Sequence, residues 1–248
     1  MLVFITGATS GIGKSCAKLF AKNGCDLIIT GRRQERLTDL KKQLEKDYKI
    51  QVQDLCFDIR VYEEVEKAIE SISNKKIDLL INNAGLAAGL SSIQDGQLSH
   101  WERMIDTNIK GLLYTTKIVS NLMIKNGKGH IINIGSIAGK EVYANGNVYC
   151  ATKHAVDALN KGMRIDLLAH GIKVTAINPG MVDTEFSLVR FDGDEDRAKK
   201  VYLGLKALSP DDIAETAYWV TNRPAHVNIN DIVIMPTAQA SATNVMRQ

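Results

Sequence analysis

Short apolar segments rich in β-branched residues alternate with longer segments of helical periodicity along the whole chain. Seven of these apolar segments predict strands: Leu2–Thr6, Asp26–Thr30, Val52–Phe57, Asp78–Asn82, His130–Ile134, Ile172–Ile177 and Asp231–Met235. Several of them are almost continuously apolar, which is typical of strands that helices cover on both faces. The alternation predicts an α/β fold, a doubly wound parallel sheet of about seven strands with right-handed crossovers and helices on both faces.

The segments between the strands carry apolar residues at three- and four-residue steps, which predicts helices. Four helices are predicted, at Lys14–Lys22, Gln34–Tyr48, Ser99–Asn126 and Val148–Ala169. The sequence has no internal repeat, no linker rich in proline or serine and no break in composition. We therefore predict one domain of the Rossmann type over residues 1–248.

One charged segment, Glu185–Lys206, interrupts the alternation just after the end of a predicted strand. It is either a plain surface insertion or a lid over a substrate. Its position at the carboxyl edge of the sheet, where ligands bind in folds of this class, favours the lid.

Composition and charge exclude several classes of function. The formal net charge is only +3, so neither nucleic acid nor a membrane surface is an expected partner. No segment approaches the ~20 consecutive apolar residues that cross a bilayer, and the first residues lack the pattern of a signal peptide. The 4 cysteines and 5 histidines lack the spacing of a metal site, so we expect no metal, reduced thiols and a cytoplasmic location.

A glycine-rich turn directly follows the first predicted strand and precedes a predicted helix: Thr6-Gly7-Ala8-Thr9-Ser10-Gly11-Ile12-Gly13. Glycine tolerates positive φ, and its missing Cβ lets a pyrophosphate approach the backbone. The free N–H groups at the start of the helix then hold the negative charge. Because the strand and the helix supply the context that such a motif requires, the turn predicts dinucleotide binding.

The end of the second predicted strand distinguishes the two nicotinamide dinucleotides. A protein that binds the ribose 2′-hydroxyl of NAD needs a carboxylate near this position, whereas here Gly31 is followed by Arg32 and Arg33. Guanidinium groups suit a phosphate and stack on adenine. We therefore expect NADP(H) as the cofactor; the alternative is a solvated arginine pair at the start of a helix.

Tyr149 and Lys153 lie four residues apart in a predicted helix and therefore on one face of it. A phenol titrates at about pH 10, so we expect the ammonium of Lys153 to lower the pKa of Tyr149 toward neutrality. Ser136 follows the predicted strand His130–Ile134 at the same carboxyl edge, where its hydroxyl can hold a carbonyl oxygen. The three side chains predict a site of proton transfer.

These motifs together resemble those of the short-chain dehydrogenase/reductase family over nearly the whole chain. The resemblance implies that Ser136, Tyr149 and Lys153 are catalytic, and that Asn108 anchors a water to the lysine in a proton relay. It also adds residues beside the adenine and the nicotinamide to those of the glycine turn. The full predicted cofactor-binding set is Gly7, Thr9, Ser10, Gly11, Ile12, Gly13, Arg32, Arg33, Asp58, Ile59, Asn83, Tyr149, Lys153, Pro179, Gly180, Val182 and Thr184.

The sequence departs from the family pattern at one position of the turn. Family members that use NADP often carry a basic residue just before the second glycine, where this chain has Ser10. Recognition of the 2′-phosphate is therefore expected to depend on Arg32 and Arg33.

Four further segments are similar to bacterial and yeast NADP-dependent 3-hydroxy acid dehydrogenases: Gly31–Leu37, Asn147–Tyr149, Glu185–Phe191 and Pro224–Asn230. The similarity implies hydride transfer between NADP(H) and a short 3-hydroxy acid such as serine, L-allo-threonine or 3-hydroxypropionate, or reduction of malonic semialdehyde. The alternatives are a 3-oxoacyl-carrier-protein reductase or another carbonyl reductase of the family, and a non-catalytic NADP-sensing module.

The substrate is expected to contact Ser136 and Tyr149, and we add the hypothesis that Arg190 binds its carboxylate. The alternative for Arg190 is a surface ion pair with Asp192 or Glu195. By resemblance, the helices Ser99–Asn126 and Val148–Ala169 form the interface of a homotetramer.

Overall fold

Seven parallel strands form one sheet in the computed structural model, which describes residues 1–248. The strands are β1 (Leu2–Ile5), β2 (Asp26–Gly31), β3 (Val52–Cys56), β4 (Leu79–Asn82), β5 (Gly129–Ile134), β6 (Ile172–Pro179) and β7 (Asp231–Ile234). Their order in the sheet is β3-β2-β1-β4-β5-β6-β7, and every neighbouring pair is parallel. All seven predicted strands are confirmed. Because the order reverses between β1 and β4, the carboxyl ends of the strands there border a cleft.

Nine α-helices accompany the strands. They are α1 (Gly11–Lys22), α2 (Gln34–Tyr48), α3 (Tyr62–Glu70), α4 (Leu98–Ile105), α5 (Leu112–Asn126), α6 (Asn147–Asp166), α7 (Phe186–Arg190), α8 (Glu195–Tyr202) and α9 (Pro210–Thr221). The helix predicted at Gln34–Tyr48 has the observed bounds of α2. Helices α3 and α9 were not predicted, although Ser209 forms a capping box with Asp212 at the start of α9.

The helix predicted over Ser99–Asn126 is continuous but not uniform. Helices α4 and α5 are joined by a π-helical turn at Asp106–Gly111, which contains Asn108. Such widened turns occur mostly as single turns inside α-helices and frequently at functional sites. Here the turn brings the side chain of Asn108 into the buried space behind the carboxyl edge of the sheet.

Two large apolar clusters cover the two faces of the sheet. One contains Phe20 of α1 and Ile213 of α9, and the other contains Val65 of α3, Val119 of α5 and Met163 of α6. The central strands β1, β4 and β5 are almost entirely buried between them, which explains their continuously apolar sequences. None of the helices combines the length and the apolar character needed to span a bilayer.

The segment 185–206 follows β6 and contains the short helices α7 and α8. The sequence did not predict these helices. Asp194 caps α8 by accepting a hydrogen bond from the backbone of Arg197, and no residue of α8 is buried. The insertion is therefore organised by its own turns and by polar contacts rather than by a core. We refer to residues 185–206 as the lid.

Candidate active site

Close backbone contacts fix the glycine turn. Gly7 and Gly11 have φ angles of +68° and +51°, which L side chains rarely adopt. A Cβ built on Gly13 would lie 2.4 Å from the carbonyl oxygen of Gly7. The side-chain amide of Asn83 donates hydrogen bonds of 2.9 and 3.1 Å to the carbonyl oxygens of Thr6 and Gly7. The shape of the turn thus requires these glycines, and Asn83 braces the turn with its amide.

A cavity of about 670 Å³ extends along the carboxyl edge of the sheet from the glycine turn to the lid. Two predicted site residues do not line the cavity: Gly13, which packs behind the turn, and Asn108. The other predicted site residues do line it: Gly7, Thr9, Ser10, Gly11, Ile12, Arg32, Arg33, Asp58, Ile59, Asn83, Ser136, Tyr149, Lys153, Pro179, Gly180, Val182, Thr184 and Arg190.

The start of α1 suits a pyrophosphate. Ser10, the N-cap residue, makes no side-chain capping bond, and the first turn of the helix carries no acidic residue. The positive end of the helix dipole and its free N–H groups therefore remain uncompensated beside the cavity. Together with the close packing of the glycines, this donor set fits the diphosphate of a dinucleotide.

The second arginine after β2 lies against the glycine turn. The guanidinium of Arg33 donates hydrogen bonds of 2.7 Å to the Thr9 hydroxyl and 3.0 Å to the Ser10 hydroxyl. It also donates one of 3.0 Å to the carboxylate of Glu185 in the lid. Arg33 thus brings a positive charge to Ser10, the position where family members that use NADP often carry a basic residue. The Arg33 side chain stays 42% exposed, so it is partly solvated while these bonds hold its guanidinium beside the turn.

Asp58 and Ile59 lie at the opposite side of this end of the cavity. Hydrogen bonds from Arg60 hold the pKa of Asp58 below its usual range, against the effect of partial burial. Arg32 is more exposed, with its guanidinium 3.9 Å from the Asp58 carboxylate. This end of the cavity is therefore rich in guanidinium groups, which would suit the phosphorylated ribose of NADP(H).

Ser136, Tyr149 and Lys153 converge at the middle of the cavity. Ser136 follows β5, and its hydroxyl accepts a hydrogen bond of 3.1 Å from the backbone of Ala138. The backbone N–H of Ser136 donates to the side chain of Asn178 on β6 at 3.3 Å. Tyr149 and Lys153 lie on α6, and both side chains are buried. The strand end and the helix thus fix all three groups in place.

The pKa values of this pair differ from the expectation. Burial raises the pKa of Tyr149 above its usual value, while Arg190 and the Ser136 hydroxyl act to lower it. Burial also lowers the pKa of Lys153 to about 8, and its Nζ donates a hydrogen bond of 3.0 Å to the carbonyl oxygen of Ile134. The expectation that Lys153 acidifies Tyr149 is therefore wrong for this structure; the cation that acts on the phenol is Arg190.

Asn108 is bound to the backbone on the other side of Lys153. Its side-chain amide accepts a hydrogen bond from the Leu86 N–H and donates one to the Leu86 carbonyl oxygen, both at 2.8 Å. It also donates to the Thr152 hydroxyl at 3.0 Å. The Asn108 amide and the Lys153 ammonium both border Gly85. These bonds tie the start of α6 to the strand end after β4.

Arg190, at the end of α7, points into the cavity. Its guanidinium donates a hydrogen bond of 2.6 Å to the Tyr143 hydroxyl and lies 5.2 Å from the centre of the Tyr149 ring. Its Nε is buried without a partner. The predicted alternative is wrong, because Asp192 pairs with Arg103 and Glu195 pairs with Lys199. A cation with no carboxylate partner thus stands beside the phenol.

Several residues that line the cavity were not predicted. They include Tyr143 and Phe186 beside Tyr149, Glu185 beside Arg33, and Gln239 and Arg247 of the C-terminal segment. The oxygen of the Gln239 amide accepts a hydrogen bond of 2.8 Å from the Met181 N–H, and this bond holds the C-terminal segment against the loop that follows β6. Gln239 and Arg247 reach the cavity from the distant C-terminal segment, whereas Tyr143, Glu185 and Phe186 lie within six residues of predicted site residues but match none of the site motifs.

Comparisons with known proteins agree with this geometry. A family model for short chain dehydrogenase matches residues 1–194. The chain is 45% identical over 252 residues to the NADP-dependent 3-hydroxy acid dehydrogenase YdfG of Escherichia coli K12, with 100% of each chain covered. It is 41% identical over 242 residues to the serine 3-dehydrogenase of Agrobacterium fabrum, with 97% of this chain and 95% of the relative covered.

Among solved structures, the chain is similar to the closed form of serine dehydrogenase complexed with NADP+. The TM-score is 0.93 at 45% identity, and the alignment covers 100% of both chains. A serine dehydrogenase from Escherichia coli gives a TM-score of 0.84 at 40% identity, with 97% of this chain and 100% of that chain covered.

Proposed function

Because the chain belongs to the short-chain dehydrogenase/reductase family, we propose that it transfers a hydride between NADP(H) and a short 3-hydroxy acid. The single observation that supports an acidic substrate is the position of Arg190, whose guanidinium lies beside Tyr149 without a carboxylate partner. A cation next to the proton-transferring phenol fits a substrate whose carboxylate carbon lies two bonds from the reacting carbon. Serine, 3-hydroxypropionate and malonic semialdehyde are substrates of this kind.

Each residue of the site has a part in this reaction. When bound, NADPH supplies the hydride and NADP+ accepts it. Ser136 and Tyr149 hydrogen-bond the substrate oxygen, where negative charge develops during reduction, and fixed donors are most effective there. Tyr149 then donates its proton to that oxygen. In oxidation, Tyr149 instead accepts the proton of the alcohol, so the oxidation rate should increase with pH.

Lys153 and Asn108 support the phenol in different ways. Lys153, whose pKa is about 8, can gain and lose a proton near neutral pH and so can return one to the tyrosine. Asn108 acts as a positioning residue through its bonds to Leu86 and Thr152. In the family this asparagine is expected to anchor a water beside the lysine, and its position next to Gly85 and Lys153 is compatible with that role.

The cofactor residues follow from the contacts of the cavity. The glycine turn and the start of α1 would hold the diphosphate, and Arg32 and Arg33 would hold the 2′-phosphate. Asp58 and Ile59 would border the adenine, and Pro179, Gly180, Val182 and Thr184 the nicotinamide, since all of them line the cavity. The lid closes the substrate end of the same cavity through Phe186 and Arg190.

The assembly and the location are also proposals. Large apolar side chains are exposed on α4, α5 and α6, among them Leu98, Ile105 and Ile165, which supports burial of these helices in a homotetramer. Free cysteines and the absence of a disulfide in the structure are compatible with a cytoplasmic protein.

Substitution of Tyr149 by phenylalanine tests the proposed reaction. Tyr149→Phe should remove the proton donor and lower NADP-linked turnover by about a thousandfold or more, because the chemistry loses its general acid. NADPH binding, followed by the change in NADPH fluorescence, should remain within about threefold of the wild type. Substantial residual turnover would contradict the role of Tyr149.

A substrate series tests the acid specificity. L-serine, L-allo-threonine, 3-hydroxypropionate and 3-hydroxyisobutyrate are assayed with NADP+, together with a simple secondary alcohol and a carrier-linked 3-hydroxyacyl chain. We expect the free acids to have the highest kcat/KM. A preference for the carrier-linked chain would instead identify a 3-oxoacyl-carrier-protein reductase, and no turnover of any alcohol would identify an NADP-sensing module.

A further inference from the structure

Glu185 brings a carboxylate from the lid to the arginines that follow β2. Its carboxylate accepts a hydrogen bond of 3.0 Å from Arg33 and bonds of 2.8 and 3.0 Å from Arg36. Both arginines lie on or just before α2, whereas Glu185 lies about 150 positions later in the chain. The contact is therefore long-range, and no neighbouring sequence pattern predicts it.

The carboxylate of Glu185 is the anionic partner of Arg33. Every other partner of the Arg33 guanidinium is a neutral hydroxyl, from Thr9 or Ser10. Glu185 and Arg33 both line the cavity, at its adenosine end. A phosphate that approached the same guanidinium would come within a few ångströms of a carboxylate, and two like charges at that distance repel each other.

From these contacts we propose that Glu185 determines cofactor specificity by competing with the 2′-phosphate of NADP(H) for Arg33. The proposal deepens the proposed function and rests on it for the identity of the cofactor. The phosphate displaces Glu185 from Arg33, and this displacement lowers the affinity for NADP(H) but not for NAD(H), which has no phosphate there. Arg36 keeps Glu185 in place afterwards, since it makes two of the three bonds.

The direction of the effect follows from what holds Arg33. Its bonds to Thr9 and Ser10 position the guanidinium without any help from Glu185. Removing the negative charge of Glu185 therefore leaves the phosphate ligand in place and removes only its competitor. If Glu185 were instead needed to orient Arg33, its removal would weaken the binding of NADP(H).

The geometry also connects the two ends of the cavity. Glu185 is the N-cap residue of α7, and Arg190 is the last residue of that helix. One helix of 5 residues thus reaches from the phosphate site to the proposed carboxylate site. Because Arg36 retains Glu185, the displacement from Arg33 does not release the lid.

The test measures cofactor affinity without turnover, in the full-length protein. Dissociation constants for NADPH and NADH are determined by fluorescence for the wild type, Glu185→Gln and Glu195→Gln. The last variant is a matched control, because Glu195 is a lid carboxylate whose ion pair with the exposed Lys199 lies within α8. Circular dichroism verifies that each variant is folded.

Glu185→Gln should bind NADPH about three- to tenfold more tightly, as expected for removing a like charge at a partly exposed site. Its affinity for NADH should stay within about twofold of the wild type, and Glu195→Gln should change neither constant. In an Arg33→Gln background the Glu185 substitution should no longer strengthen NADPH binding.

Three results would overturn the inference: an unchanged NADPH affinity in Glu185→Gln, a weaker one, or an equal change for both cofactors. Failure of the proposed function would look different. In that case the wild-type protein would itself bind NADPH no more tightly than NADH, whatever the effect of Glu185.

Discussion

The glycine turn and the lid line the same cavity, but different interactions hold them in place. Close packing of the backbone fixes the turn: two glycines have positive φ, a third leaves no room for a Cβ, and partly buried hydrogen bonds from the Asn83 side chain complete it. The lid is held mainly by side-chain contacts, at its start, at its tip and, through Arg247, near its end. Glu185 pairs with Arg33 and Arg36, and Asp192 pairs with Arg103.

This difference matches what the two regions do in the proposed reaction. NADP+ and NADPH carry the same diphosphate, so one rigid site formed by close steric packing can serve both without any motion. A substrate must enter and leave, and partly exposed ion pairs can exchange partners at a cost of about 1 kcal/mol or less. The glycine turn thus forms a sterically fixed side of the cavity, whereas the lid forms a side that is held by polar contacts and can open.

The glycine turn should be more sensitive than the lid to the addition of a single methyl group. In Gly13→Ala the added Cβ would lie 2.4 Å from the Gly7 carbonyl oxygen and 2.5 Å from the Asn83 amide, so the turn must shift. Overpacking of this kind costs about 3 kcal/mol, which corresponds to a loss of about a hundredfold in NADPH affinity. The measurement is a fluorescence titration with NADPH, combined with urea unfolding.

Gly162→Ala is the matched control for this substitution. Gly162 lies within α6, and nothing lies within 4 Å of the Cβ that alanine would add there. This variant should bind NADPH like the wild type. If Gly13→Ala bound NADPH equally well, the turn would not be sterically fixed.

On the lid, the largest effect is expected at Arg190. Arg190→Ala removes the guanidinium beside Tyr149. A charge-assisted hydrogen bond to a carboxylate contributes about 2 kcal/mol, so kcat/KM for 3-hydroxy acids should fall about thirtyfold. A neutral secondary alcohol should lose little, and the ratio of the two substrates is the measurement.

Arg197→Ala is the lid control, because this guanidinium packs on the ring of Phe191 and does not line the cavity. It should leave the ratio of acidic to neutral substrates unchanged. An equal loss on both substrates in Arg190→Ala would mean that the residue orders the lid rather than binds the carboxylate.

The same contrast explains how much the sequence could predict. The order of strands and helices, the parallel sheet, the glycine turn and the positions of Tyr149 and Lys153 follow from patterns within about 20 residues of each other. The seven strands and helix α2 were predicted close to their observed bounds. Membership of the dehydrogenase family and the use of NADP agree with the relatives.

The contacts of the lid could not be predicted in this way. Glu185 reaches arginines on α2, Arg190 reaches Tyr143, and Asp192 reaches Arg103, so each bond joins segments that are distant in the sequence. The charged composition of the lid sequence predicts only that the segment is exposed to solvent. The pKa of Tyr149 also depends on its burial, and a spacing of four residues to Lys153 carries no information about burial.

Burial of the Lys153 ammonium lowers the stability of the folded protein. Its pKa is 10.5 when exposed and about 8 in the folded protein, because burial disfavours the charge. Between these values the unfolded chain binds a proton that the folded chain does not, so the contribution of this group to stability rises with pH from 8 to 10.5. At pH 7 both states are charged, and folding bears the full cost of burying the ammonium.

Lys153→Met should therefore stabilise the protein while it abolishes activity. At pH 7 the free energy of unfolding should increase by about 1–2 kcal/mol, which is the cost of burying the charge less the lost hydrogen bond to Ile134. The gain should shrink as the pH approaches 10, where the wild-type lysine is neutral in the fold. Urea unfolding at pH 7 and pH 9.5 measures both values, and a destabilised variant at pH 7 would contradict the cost of burial.

The smallest effect is expected at the tip of the lid. Asp192 has a φ of +51°, and its carboxylate accepts a hydrogen bond of 3.0 Å from Arg103 and lies 3.4 Å from His100. Asp192→Asn removes the charge but keeps the backbone, because asparagine tolerates the left-handed conformation. Since the pair is partly exposed, the change should cost less than about 1 kcal/mol and raise the KM of the hydroxy acid about two- to threefold, with kcat nearly constant.

Asp196→Asn is the control, since Asp196 lies on the same lid and makes no ion pair. A steady-state comparison of the two variants separates the tip contact from a general loss of lid charge. If Asp192→Asn lowered kcat more than tenfold, the tip would take part in assembling the site, and the lid would be as rigid as the glycine turn. A change confined to KM, by contrast, identifies a wall that opens and closes around a cofactor site that does not move.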